Sequence, residues 1–396
     1  MKIAIIGAGA SGLVSAIKIK EKHPESEIFL FDRLDAVGKK IKATGNGKCN
    51  IGNVHAQFDG YSHIDFVKKI IGDYQQEEAL LELGIPTKVM NHDGLYPVSE
   101  SANNVVQILE KRAIQLGVNI ILATRLLDYI LVNNQIELHF DKYHLLVDKA
   151  LFCVGGKSNP NLGSDGSLFD VFARHGYQIT LTQPGLCPIR IKENVTSLFG
   201  QRFHTLASLF IDGALIKEEY GEVMFKKDGL SGIVIMNLSS LIARNKAMKA
   251  TIYLAVLNQN REIVSAKEIF ELSKKGVDPL LAFVTSEIAK YIYHLAGVKP
   301  EQKLSYEQCE KIAKASSALP FTFNNFYDYE FSQVTIGGVA VENLNDDLSS
   351  KIENSIWLSA KISMILLSFS IILPTRLVSR LGINIQTLTD SPSILT

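Results

Sequence analysis

The sequence predicts an α/β fold built on a dinucleotide-binding βαβ unit and interrupted by a second, β-rich region. Three observations predict it. The apolar run Ile3-Ala4-Ile5-Ile6 ends in glycines at Gly7, Gly9 and Gly12. A second apolar run, Ile28-Phe29-Leu30-Phe31, is closed by an acid, Asp32, about 20 residues further on. From Pro188 to about Phe323 the pattern changes to short alternating segments and then to helical ones.

Each part of the first unit has a physical reason. Gly7 permits a tight strand-to-helix turn, Gly9 lets backbone amides approach a pyrophosphate, and Gly12 lets the helix pack closely on the strand. The amides and the helix dipole favour anionic phosphates there. Asp32 is placed to accept hydrogen bonds from an adenosine ribose, and its charge repels a 2′-phosphate, which disfavours NADP at this site. Lys2 before an apolar run also suggests a secretory signal, but Gly7 and Gly9 break the run and Lys18, Lys20 and Lys22 continue an amphipathic helix.

The segment from Val37 to Asn50 is too polar and glycine-rich for a strand or a long helix, and reads as a loop presenting amides and cations to a cofactor. An ordinary surface turn with solvated lysines explains the same composition. Helical patterns follow near Ile64 to Ile71, near Glu77 to Leu83, and from Ser101 to about Leu116. Alternating runs at Asn119 to Leu122, Leu126 to Leu131, Ile136 to Phe140 and His144 to Val147 suggest a β-meander. Lys149 to Val154 reads as a buried strand, and Gly155-Gly156 after it invites close cofactor approach. Helices are expected near Ser265 to Ser273 and Asp278 to Leu295 within the inserted region. The expected domains are 1–188, an insertion over 189–323, and a return to the first domain over 324–396.

Composition narrows the function. At 396 residues the chain exceeds the ~250–300 over which a single core grows. Lys+Arg and Asp+Glu both number 41, so no global basic field argues for nucleic acid. Cys49, Cys153, Cys187 and Cys309 are widely spaced without a C-x-x-C pair, which argues against a disulfide framework, a cysteine zinc site and a dithiol redox relay. A reducing cytoplasm fits.

Several ordered blocks carry a family resemblance. The loop Thr44-Gly45-Asn46-Gly47-Lys48-Cys49-Asn50, preceded by Gly38-Lys39-Lys40, resembles the G-G-G-R-C-N loop of aminoacetone-oxidase-like, BaiN-type FAD-dependent oxidoreductases. Gly94-Leu95-Tyr96-Pro97-Val98-Ser99 is similar to that family's G-x-x-F-P-x-S, and Val154-Gly155-Gly156-Lys157-Ser158 to its A-T-G-G-x-S. Gly221 to Phe225 with Gly229 to Gly232 resembles G-E-x-x-F…G-x-S-G, and Val334 to Val339 resembles V-T-x-G-G-V. The resemblance implies a Rossmann-like FAD-binding domain of the two-dinucleotide-binding type with an inserted β-barrel-like and helical domain.

It further implies cofactor contacts at Gly7, Gly9, Ala10, Ser11, Gly12, Asp32 and Arg33. Lys39, Lys40, Gly45, Gly47, Lys48, Cys49 and Asn50 would line the path to the flavin, with Leu126, Gly155, Gly156, Gly337 and Gly338 completing the set. Lys48 stands where the family has Arg, which removes a bidentate fork. Cys49 suggests redox chemistry, but a lone cysteine is more often a packing residue. No acid, base or nucleophile is nominated, since a flavin would carry the electron pair itself.

The C-terminus departs from that family, which continues with G-E and D-x-x-G-x-x-G-G-Y-N. Ser355 to Ser359 fits the last strand, but the apolar run from Ala360 to Pro374 follows, and no Asp or Glu occurs from Asn354 to Thr389. A short membrane anchor, a rewired strand and helix, and a frame slip in the coding sequence are the competing readings; the run is short of the ~20 residues that span a bilayer. The function expected is an FAD-dependent oxidoreductase acting on a small organic substrate, with NAD(P)H as a candidate transient reductant. The alternatives are a non-catalytic dinucleotide-binding protein whose altered tail impairs flavin binding, and an NAD-binding dehydrogenase.

Overall fold

The computed structural model describes residues 1–54, 63–71, 75–90, 93–245, 249–259, 262–300 and 303–358. The tail whose departure from the family pattern was noted above therefore lies outside the described residues beyond Leu358. The chain divides into two compact units, Met1–Thr182 with the chain from Gly337 onward, and Gln183–Ile336. The sequence pattern had put the insertion at 189–323. The division falls further out because Gln183–Gly185 and Val334–Ile336 pair antiparallel with each other and so belong with the insertion.

The first unit is organised by a five-stranded parallel sheet. Its order is Ile356–Leu358, Lys149–Phe152, β1 (Lys2–Ile6), β2 (Glu27–Phe31) and Asn119–Ile121. Central strands of such sheets are covered on both faces and read as continuous apolar runs. Accordingly Ala4 and Ile5 are fully buried, with Ile5 opposite Leu30 on one side and Leu151 on the other. Helix α1 (Ala10–Lys22) buries Leu13, Val14, Ile17 and Ile19 against the sheet and packs on the helix Ala102–Gln115. The latter starts where Ser101 accepts a hydrogen bond from the Asn104 amide at 3.2 Å.

Asn119–Ile121 corrects the sequence reading. It pairs parallel with β2 in the main sheet and is no part of the meander. Period-two alternation identifies a strand but not its partner. The meander proper has three antiparallel strands, Leu126–Val132, Gln135–Phe140 and His144–Val147. It is tied to the segment before Ile356–Leu358 by Tyr129, whose hydroxyl donates to Glu353 Oε2 at 2.6 Å. His175 stacks on Tyr129 at 3.8 Å and meets Glu353 Oε1 at 2.8 Å through Nδ1 and Asp128 Oδ1 at 3.1 Å through Nε2.

The second unit holds a closed six-stranded barrel ordered Ile189–Ile191, Gly229–Ser231, Ala214–Lys226, Arg202–Ile211, Ala250–Ala255 and Leu319–Phe326. Closure removes exposed edges and gives the unit its own core, including Leu209, Val223, Phe225, Ile252 and Phe321. Helices Ala266–Ser273 and Tyr306–Ser317 each begin with a capping box, at Ser265 and Ser305. The helix expected over Asp278 to Leu295 divides in two. Asp278 caps a 3-10 turn, Pro279–Ala282, and a separate helix runs over Ser286–Ala296. Among the described residues no helix is long and apolar enough to cross a membrane.

Candidate functional site

Three loops meet at the carboxyl end of the parallel sheet, the position where open α/β sheets bind ligands. The first is the glycine turn after β1. Gly7 has φ +107°, and a Cβ there would lie 2.4 Å from the Cys153 carbonyl oxygen. At Gly12 a Cβ would lie 1.8 Å from the Gly7 carbonyl oxygen. Both positions therefore require glycine for packing reasons internal to the fold. Gly9 is different: an added Cβ would meet nothing within 4 Å. Gly9 is also the N-cap of α1, and no side chain caps that helix. The start of α1 at Ala10, Ser11 and Gly12 therefore carries no capping side chain, and the space beside Gly9 lets a pyrophosphate approach that helix end.

The second loop follows β2. Asp32 Oδ2 accepts the Ala8 amide at 2.8 Å and Oδ1 accepts the Leu34 amide at 2.9 Å. Burial pushes its carboxyl above the usual carboxylate range, while those two amides pull the other way. Asp32 thereby fixes the glycine turn, and each oxygen keeps a second lone pair for a ribose hydroxyl. Arg33 turns toward the third loop, pairing with Asp165 at 2.6 Å and reaching the Pro160 carbonyl at 3.4 Å.

That third loop follows Lys149–Phe152. Gly155 has φ +71°, and a Cβ there would lie 2.4 Å from Ser164 Oγ; Gly156 beside it is buried. Cys153 accepts a bond from Ser11 Oγ at 3.3 Å, joining this loop to the start of α1. Asp165, which the sequence reading missed, holds Arg33, and Ser164, missed likewise, fills the space a side chain at Gly155 would need. The turn signals Asn159-Pro160 and Asp165-Gly166 mark their loop but not their partners.

The loop expected over Val37 to Asn50 joins the glycine turn through the Gly38 amide, which donates to the Ala8 carbonyl at 2.9 Å. It contains a short helix, α2 (Lys39–Ala43), and a 3-10 turn, Thr44–Gly47, with Gly45 and Asn46 in left-handed conformations. Lys39 pairs with Asp35 at 2.7 Å and Lys48 with Glu100 at 3.0 Å. Burial draws the Lys40 ammonium down to about 8. A Cβ at Gly45 would lie 2.6 Å from the Asn50 amide and 3.3 Å from the Tyr96 ring, and one at Gly47 would meet open space. The Ile51 amide donates to the Leu95 carbonyl at 2.8 Å, so the blocks around Cys49 and Tyr96 are neighbours in space.

Two residues in this loop bear on chemistry. Cys49 is 1% exposed, and burial pushes its thiol up to about 12, an environment that suits packing better than thiolate chemistry. Asn50 Oδ1 is buried without a hydrogen-bond partner, an acceptor that a bound polar group would satisfy. Leu126 lies 6% exposed in the core at the start of the meander, so its side chain is committed to packing. Gly337 and Gly338 lie against Thr180 and Leu181. The Gly338 amide donates to Thr180 Oγ1 at 3.0 Å, and a Cβ at Gly337 would lie 2.2 Å from the Leu181 carbonyl oxygen.

Comparison with known proteins matches the chain that carries this site to a family. The family model described as HI0933-like protein Rossmann domain matches residues 1–362. A 3-dehydro-bile acid delta(4,6)-reductase of Clostridium scindens is 26% identical over 380 residues, covering 91% of this chain and 92% of that protein. A ribosomal RNA dihydrouridine synthase of Haemophilus influenzae is 22% identical over 350 residues, covering 85% of each. Among solved structures, the open conformation of a flavocytochrome c3 fumarate reductase aligns with a TM-score of 0.46 at 12% identity, covering 95% of this chain and 77% of that one.

Proposed function

The chain belongs to the HI0933-like Rossmann-domain family of FAD-binding oxidoreductases, and from that premise we propose that it reduces an activated carbon–carbon double bond in a small organic molecule. The observation that carries the choice of direction is the end-to-end alignment with a protein named as a bile acid reductase. NAD(P)H is the reductant we propose. A reducing cytoplasm suits four cysteines that are all buried as thiols.

The residues present fit the flavin dinucleotide. Gly9 and the amides of Ala10, Ser11 and Gly12 would hold the pyrophosphate, and Asp32 the ribose. Asn50, Gly47 and the Lys40 ammonium would face the further half. Bound flavin supplies transfer of a hydride or electron pair. The protein's own part is to position it: the Asp32 carboxylate holds the Ala8 amide, and the Gly38 amide ties the cationic loop to the same turn. Lys40, with its ammonium drawn down to about 8, is placed to regain a full charge beside an anion.

The test is the visible spectrum of purified protein. A yellow preparation that bleaches anaerobically with NAD(P)H, and is reoxidised by an enone, supports the reading. A colourless protein that FAD cannot reconstitute supports the non-catalytic alternative and overturns it. Turnover of unmodified ribosomal RNA in place of the enone would transfer the reading to the other relative's chemistry, which the zero net charge does not favour.

A further inference from the structure

One side-chain cluster lies outside every residue assigned to the cofactor. On the meander, Glu137, His139 and His144 bring a carboxylate and two imidazoles together, with one ligand atom of each within 4.8 Å of the others. The sheet builds this arrangement. His139 and His144 are directly opposed across antiparallel strands, and Glu137 lies two residues before His139 on the same face. Glu137 Oε1 lies 3.0 Å from His144 Nδ1 and 3.5 Å from His139 Nε2, and the two rings stack with centroids 4.0 Å apart.

A surface acid–imidazole pair would account for the proximity alone, and such pairs contribute little. Two further facts need more. His139 Nε2 is buried and makes no hydrogen bond, Glu137 Oε1 at 3.5 Å being too poorly placed to serve as one, and such an atom costs about 1–3 kcal/mol unless something satisfies it. The spacing also suits a metal: with bonds of about 2.0–2.1 Å, ligand atoms at tetrahedral angles stand roughly 3.3–3.4 Å apart. The 3.0 and 3.5 Å separations from Glu137 Oε1 bracket that value, and the three ligand atoms all lie within 4.8 Å of one another.

We propose that Glu137, His139 and His144 form a binding site for a divalent first-row transition cation, with Zn²⁺ the expected occupant and Ni²⁺ and Cu²⁺ its competitors. Imidazole and carboxylate donors select these ions over Mg²⁺ and Ca²⁺. Three protein ligands leave a position for water. The rings lie 12° from parallel, so both lone pairs reach one ion only after the rings tilt toward each other. His144 is exposed and follows directly on the connection Asp141–Tyr143, which gives it that freedom. The bound cation would cross-link two adjacent strands of the meander.

The experiment uses full-length, untagged protein stripped with a chelator. Zn²⁺ is titrated by calorimetry, and Co²⁺ by its visible d–d bands after subtraction of any flavin spectrum. Wild type is expected to take up one equivalent, and Zn²⁺ to raise its melting temperature. His144→Ala and Glu137→Gln should each weaken binding by roughly tenfold or more and abolish the thermal shift, while circular dichroism shows both variants folded. No uptake by wild type overturns the proposal. Equal stoichiometry and affinity in wild type and His144→Ala overturns it too, because the ion then sits elsewhere.

Discussion

Replacing Gly9 by valine separates binding from folding in a way the other two glycines do not allow. Gly9 has φ −77°, which any L-residue adopts, and its missing Cβ faces open space. The fold should lose only the difference between glycine and valine at an N-cap, about 1 kcal/mol. The loss to the cofactor is larger. The branched side chain fills the space through which phosphate oxygens reach the amides of α1, and each charge-assisted hydrogen bond removed is worth ~1.5–3 kcal/mol. Losing two weakens FAD by about 3–6 kcal/mol, roughly two to four orders of magnitude in Kd. Flavin content after purification and a fluorescence titration read the binding; a thermal melt without FAD reads the fold. FAD affinity unchanged within a factor of three, in a variant that melts like wild type, would refute the assignment of this turn.

The remaining predictions follow from neighbouring geometry. Gly12→Ala places a methyl 1.8 Å from the Gly7 carbonyl oxygen and should destabilise by about 3 kcal/mol or more in urea unfolding, with or without FAD; wild-type stability would contradict the close packing of α1 on β1. At Asp165, burial works to raise the carboxyl, but the Ser167 hydrogen bonds and the charges of Arg33 and Arg125 outweigh it and hold it below the unfolded value of 3.8. Its contribution is therefore present above about pH 4 and lost as pH falls through the lower folded value. Asp165→Asn should remove that acid-range dependence and cost about 0.5–1 kcal/mol at neutral pH, a modest value because the pair is partly solvated. For Lys40 the folded value of about 8 lies below the unfolded 10.5, so its burial cost is present in full below pH 8 and relieved as pH rises toward 10.5. Lys40→Met should raise apo-protein stability at pH 7, and a drop would show that the ammonium is paired. Finally, no thiol of the folded protein should react with a disulfide reagent within minutes at pH 8, and rapid stoichiometric labelling of Cys49 would contradict its packing role.

The first βαβ unit was legible because its information is local. Gly7, Gly9, Gly12 and Asp32 lie in one short stretch, and each is explained by backbone within that stretch or by a single neighbour. Arg33 was named for the cofactor, but its partner Asp165 is 132 residues away, and nothing in the sequence links them. Asn119–Ile121 was recognised as a strand and placed in the wrong sheet, since alternation is the same whichever strand lies beside it. The inserted barrel was expected through the family resemblance and not through local pattern, because its closure pairs Ile189–Ile191 with Leu319–Phe326 across most of the insertion. One signal was present and unread. Asp212-Gly213, both with positive φ, forms the two-residue turn of the hairpin joining Arg202–Ile211 to Ala214–Lys226. Ile233–Arg244 escaped as a helix because its run of branched apolar residues reads equally as a buried strand.

The pairing of Gln183–Gly185 with Val334–Ile336 has a consequence for how the chain could have been assembled and could be altered. The first and last strands of the insertion are zipped side by side, so its two ends are as close as the ends of a hairpin. Loop-closure entropy grows only slowly with length, and an insert whose ends are already adjacent costs its host little more than a turn. A chain in which a short turn replaces the segment between these two strands should therefore keep the parallel sheet and the glycine turn. The nucleotide-holding unit and the inserted barrel are in that sense separately exchangeable, and one can diverge while the other stays constant.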